Sequence, residues 1–290
     1  MHRFLRAIGF SDIRERDLEL IVNEIIEHPD TMEVTKDSEG KEFAEVTKEF
    51  AKNIGIAIRG SYNEEDIFQI EYYVPFAKTD RITTMETVEI ERYAEKEAYA
   101  GVCDETHLGV ILIFYLQNVA EFLSETRICK KDAYFRGAYL CALSIEGKII
   151  LPIHEDIRAK MKANYKYEKR SQLMAEAREG NEEALETLSM QDMDLYSDIS
   201  QRALEEDVFS IVRSTFMSYS IESDHYSIVG EIIDVLEQIN ILTKEKLYTL
   251  TLNTNELIFN VTINQKDLLG EPKIGRRFKG YIWMQGTVCI

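Results

Sequence analysis

The chain has 290 residues, is 45% hydrophobic and 10% aromatic, and carries a formal net charge of −18. That much apolar material supplies real cores and excludes an intrinsically disordered chain. A surface this acidic repels phosphate backbones and anionic headgroups, which argues against general nucleic-acid or membrane binding.

Leu18, Ile21, Val22, Ile25 and Ile26 fall on one helical face, and Pro29 ends that helix. Short strands are expected at 31–35, 42–47, 55–60 and 67–74, the last stopped by Pro75. Segment 84–100 opens with strand alternation and closes with helix formers. The run LGVILIFYL at 108–116 is apolar on both faces, the mark of a strand covered on two sides. Asn118 is placed to cap a short helix carrying Val119, Phe122 and Leu123. Residues 134–145 and 148–153 are expected to pair as a hairpin turning at Glu146-Gly147.

From His154 to about Ala203 the pattern becomes helical, basic over Arg158–Arg170 and acidic over Glu176–Asp207. A solvated face is the plain reading of such a run, and a docking surface for something basic is the alternative. Alternation returns in the C-terminal third. Tyr226, Ile228, Gly230 and Ile232 share a face, as do Tyr248, Leu250 and Leu252, and again Leu257, Phe259, Val261 and Ile263. Asn253–Glu256 reads as the turn between the last two, and 208–217 as a fifth strand. In the final strand Phe278, Gly280, Ile282, Met284, Gly286 and Val288 point one way, and its glycines permit sharp coiling. The expected fold class is α+β. A mixed α+β domain covers 1–152, a charged helical connector 153–206, and a small β-barrel of the OB or SH3-like kind 207–290.

Three stretches carry a family resemblance: MHRFLRAIGFSDI at the start, AREGNEEALETLSMQDMDLYSDISQRALEEDVFSIV with DHYSIVGEI, and INQKDLLGEPKIGRRFKGYIWMQG. Together they resemble a family of clostridia and related Firmicutes classed as a domain of unknown function. The resemblance spans nearly the whole chain and implies a soluble bacterial protein. It brings no activity, ligand or catalytic residue with it.

Cys103, Cys129, Cys141 and Cys289 have no CxxC spacing, so free thiols of a reducing cytoplasm are expected, with no structural metal. Residues 1–10 are too short and too interrupted for a signal peptide. The longest apolar run, Val110–Leu116, is far below a membrane span. No Walker loop, GxGxxG, GxSxG, HExxH or kinase-like set occurs, and no cofactor is implied. Glu222 and His225 have the ExxH spacing of di-metal bundles, but it occurs once and runs straight into a strand.

The candidate binding residues are Lys273, Arg276, Arg277, Lys279 and Trp283, around the turn GEPKIGRRFKG. Three readings follow. The first is a non-catalytic interaction or regulatory protein that binds a protein partner or itself. Its basic turn docks on the acidic block Glu176–Asp207, within the chain or across a homodimer. The second is a barrel that recognises an anionic small molecule or single-stranded nucleic acid through Arg276, Arg277, Lys279 and Trp283. The third is an enzyme with a cleft between domains, whose only cue is His107 near Cys103, Asp104 and Glu105.

Overall fold

The computed structural model describes residues 1–37, 39–65, 67–92, 98–105, 108, 110–129, 134–153, 169–170, 172–177, 180–202, 212–219 and 223–290. Four strands form an antiparallel meander: β1 (Thr31–Lys36), β2 (Glu42–Ala51), β3 (Ile54–Tyr62) and β4 (Phe68–Ala77). β4 does not stop at Pro75, which sits opposite Ile56 in register. The strand lies at the sheet's edge, where a missing N–H is tolerated. A 3-10 turn at Arg3–Ile8 and the helix α1 (Glu15–Glu27) pack on this sheet. α1 buries Leu18, Val22 and Ile25, the face its spacing foretold.

The second sheet has ten strands. They are β5 (Thr84–Arg92), β6 (Tyr99–Glu105), β7 (Val110–Leu116), β8 (Tyr134–Ile150), β9 (Thr215–Ser218), β10 (His225–Ile239), β11 (Lys246–Thr254), β12 (Leu257–Asn264), β13 (Leu268–Leu269) and β14 (Arg277–Val288). Its pairing closes on itself twice. One ring runs β8, β14, β10, β11, β12 and back to β8. The other runs β8, β14, β7, β6, β5 and back to β8. The antiparallel pair β8–β14 is common to both. Helix α2 (Val119–Cys129) adds Val119, Ala120, Phe122 and Leu123 to the core that fills them.

This overturns the expected α+β class. The chain is mostly β, and residues 207–290 do not close a small barrel of their own. Their strands need β8, from the N-terminal half, as the closing wall. The misreading begins at Glu146-Gly147, expected as a hairpin turn but found inside one 17-residue strand. Gly147 lies opposite Gly280 there, and a Cβ on it would sit 2.4 Å from the Phe278 ring. The glycine serves close approach, not reversal.

Both faces of the shared strands are buried, which accounts for their continuous apolar runs. Leu140, Ala142, Ile282 and Met284 face the inside of the rings. Cys141, Leu143, Trp283 and Tyr115 face outward onto the four-stranded sheet and the N-terminal turn. At its start β7 is less covered than its sequence suggests: Ile111 is 60% exposed. Within the expected connector, α3 (Glu182–Arg202) is a helix that buries Ala184. Residues 154–168 and 203–211 lie outside the described set, as does the first part of the fifth strand expected at 208–217.

Candidate functional site

Three of the five predicted binding residues come together. Lys273, Arg276 and Arg277 line a groove of about 580 Å3 with Leu151, Arg213 and Glu231. Their polar groups are already engaged. Lys273 pairs with Glu271 at 2.8 Å, and Arg276 Nη1 donates to the Glu271 carbonyl at 2.8 Å. Arg277 is 5% exposed, and its fork donates to the carbonyls of Leu151 (3.0 and 2.9 Å) and Val212 (2.8 Å). Arg277 therefore pins both ends of the segment that leaves and re-enters the sheet. Lys279 stands on β14 opposite Lys148 and is not one of the residues that line the groove.

Trp283 is elsewhere altogether and is unavailable for stacking on a ligand. It is buried, and its Nε1 donates to Asp224 Oδ2 at 2.9 Å. His225 lies nearly parallel to it at 6.2 Å, and His2 is tilted against it at 4.9 Å. His225 Nδ1 is 2.8 Å from Asp224 Oδ1, and its Nε2 is 2.8 Å from an Arg3 Nη2. The guanidinium can only donate, so His225 accepts at Nε2 and donates from Nδ1 to Asp224. Burial first, then the positive charge of Arg3, push His2 down to about 4. Its folded value lies below the unfolded one, so the neutral ring's contribution is complete above about 6.5. It is lost as pH falls from there towards 4, a loss on the order of 3 kcal/mol. Urea melts across that range should show this drop, and His2→Gln should flatten it. A variant that tracks the wild type would refute the assignment.

The most developed polar site was not foreseen. A cavity of about 410 Å3 lies where β1–β4 meet β7, β8 and β14. Its floor is Arg59, 1% exposed, on β3. Nε donates to Glu45 Oε2 at 2.5 Å, Nη1 to the Tyr115 hydroxyl at 2.5 Å and the Tyr72 hydroxyl at 3.2 Å, and Nη2 to the Gln117 carbonyl at 2.7 Å. Burial opposes charge on Arg59, but Glu45 beside it outweighs that and keeps the guanidinium protonated. Arg59 thus ties the four-stranded sheet to β7. Next to it Gln117 Nε2 donates to the Ala77 carbonyl (2.7 Å) and Gln285 Oε1 (2.9 Å). Gln285 Nε2 donates to the Pro75 carbonyl at 2.9 Å.

Glu33 and Glu121 complete the walls, with Lys78, whose ammonium sits 4.8 Å from the centre of the Phe76 ring. Burial, then the nearby Glu45 and Glu121, raise the Glu33 carboxyl above the ordinary range. Val74, Pro75, Phe76 and Val288 supply an apolar side. One signal for this site was present in the sequence: an arginine inside the apolar strand IGIAIRG, where a charge must be paired. The glutamines carry no such mark.

His107 lies outside the described residues, and so do His154 and Glu222. Burial pushes the Cys103 thiol up to about 12, which leaves it a poor nucleophile. Cys103, Cys141 and Cys289 are free. Among the described residues no three His, Cys, Asp or Glu side chains converge as a metal site. No helix among them is long and apolar enough to cross a membrane.

Fold and cavity together define a mostly β protein with a ligand-sized, charge-lined pocket between two sheets. Residues 5–286 match the family described as "Domain of unknown function, E. rectale Gene description (DUF3881)", and the chain belongs to it. No curated protein and no solved structure matches it.

Proposed function

We propose that the chain is a non-catalytic binding protein that takes a small organic amine into the cavity between its two sheets. The observation that carries this is the convergence of Glu33, Glu45 and Glu121 on one pocket in which Arg59 is committed to Glu45. Against these three carboxylates stand Arg59 and Lys78, which leaves one negative charge; an ammonium head between Glu33 and Glu121 would answer it, and Phe76 with Val288 would cover its hydrocarbon part. Calorimetry with n-butylamine, 1,4-diaminobutane and butyrate tests it. The amines should bind and butyrate should not. Glu33→Gln with Glu121→Gln should weaken the amines at least tenfold. Because the Glu33 carboxyl titrates above its usual range, affinity should begin to fall at a higher pH than for an ordinary glutamate. Amines that produce no heat, or that bind the double variant equally well, would end this reading.

A second reading keeps the chain a cytoplasmic protein that binds a protein partner. Helix α3 exposes Leu185, Met190, Met193 and Tyr196 among Glu182, Glu183, Glu186, Asp192 and Asp194. Apolar anchors ringed by acids favour a basic partner over a second copy of the same helix. The free thiols of Cys103 and Cys141 suit a reducing compartment. Docking by the basic turn is best tested with Lys273→Glu and Arg276→Glu, since Arg277 holds backbone carbonyls.

A further inference from the structure

A second groove, of about 380 Å3, lies on the outside of the ring formed by β10, β11 and β12. Its floor alternates with the core. Leu250, Leu252, Phe259 and Val261 point into the ring, so Thr249, Thr251, Asn260 and Thr262 point out of it. Thr262 is 1% exposed and Thr251 is 7% exposed, so these hydroxyls lie deep. They are linked to one another. Thr251 Oγ1 donates to Asn260 Oδ1 at 3.0 Å, the Thr249 and Thr262 hydroxyls are 3.3 Å apart, and Gln238 Nε2 donates to Thr249 at 3.2 Å. Asn260 Nδ2 reaches the Thr79 hydroxyl at 3.2 Å, which fastens the loop after β4 to the floor.

Lys52, Lys78 and Arg81 stand on the rim, with Asp80 and Asp234. Lys52, Lys78 and Arg81 have no carboxylate within ion-pair distance among the described residues, and Lys78 lies over the Phe76 ring. Among the described residues no aromatic side chain lines the Thr–Asn groove, so they offer a nucleobase nothing to stack on.

We propose that this groove binds a phosphorylated polyol of the sugar-phosphate class. Lys52 and Arg81 meet the phosphate, and the Thr249, Thr251 and Asn260 side chains meet the hydroxyls. Guanidinium and ammonium groups supply the charge-assisted bonds that a phosphate accepts. The floor offers the mixed donors and acceptors that adjacent hydroxyls require. The rim cations are exposed and act through water, so the attraction weakens with salt. The groove shares Lys78 with the amine cavity, but Lys52, Arg81 and the Thr–Asn floor belong to it alone, so either site can stand without the other.

The experiment is calorimetry on the full chain with glucose 6-phosphate, with glucose and inorganic phosphate as controls. Glucose 6-phosphate should bind at least tenfold more tightly than phosphate, and glucose should show no saturation. Lys52→Gln with Arg81→Gln should lower the affinity at least tenfold with the melting temperature held. Thr251→Val should weaken the sugar phosphate but not phosphate alone. Glu33→Gln with Glu121→Gln, which tests the amine cavity, should leave it unchanged. Absence of saturable binding would overturn the proposal, as would equal affinity for phosphate and sugar phosphate, or indifference to the Lys52/Arg81 variant.

Discussion

Arg59→Leu should destabilise the fold by about 3–5 kcal/mol, because it leaves the Glu45 carboxylate buried without its partner. Glu45 is 9% exposed and meets water only through the cavity, which is a poor substitute for the guanidinium. The variant also removes the bonds to Tyr115 and to the Gln117 carbonyl, which join the two sheets. Glu45→Leu should cost a similar amount for the converse reason. The double variant Arg59→Leu/Glu45→Leu should recover much of the loss, since a desolvated pair has little net advantage over apolar residues of similar volume. Urea midpoints of the four proteins complete the cycle. If either single change costs under about 1 kcal/mol, the pair behaves as a surface pair and the sheets are not tied through it. Breaking Arg14–Asp17, an exposed pair at 2.7 Å, provides the control and should leave the midpoint in place.

Phe278→Ala should cost about 3–5 kcal/mol, the range for emptying a fully buried aromatic site. Phe278 is 0% exposed, and Gly147 and Gly280 have no side chains so that its ring fits. A Cβ on Gly280 would stand 2.4 Å from the ring and 2.7 Å from the Glu146 carbonyl. Gly147→Val attacks the same contact from the other strand and should cost about 1–3 kcal/mol by overpacking. Combined with Phe278→Ala, the valine has room, so its cost should shrink or change sign. Strict additivity in chemical denaturation would mean that the glycine and the ring do not meet.

How far the sequence carried the fold depended on range. Local periodicity placed α1, the strands β1 to β3 and the alternating faces of β10, β11, β12 and β14, because burial imposes period 2 or 3.6 wherever one side faces a core. The partner of each strand is a long-range matter with no local mark. β8 alternates well and carries a glycine where a turn would also want one, so it read as two strands. Nothing within residues 207–290 announces that their barrel-like pattern lacks a wall. The binding residues divide in the same way. Arg277 looked available because an arginine beside a turn glycine usually is, yet its acceptors are carbonyls 126 and 65 positions away. Arg59 carried a signal that was not used, since a lone charge in an apolar strand demands a partner even before that partner is known.

The pair β8–β14 gives the molecule a particular kinetic character. Each ring needs the same two strands, and the register joins Ala138 to Val288 and Ile150 to Arg277. Contacts so distant in sequence form slowly, because loop-closure entropy must be overcome before they contribute. Neither ring can close while the other lacks β14, so the two should appear and disappear together. Native-state hydrogen exchange should therefore give the amides of β6 and β11, one from each ring, a common opening free energy and not two separate ones.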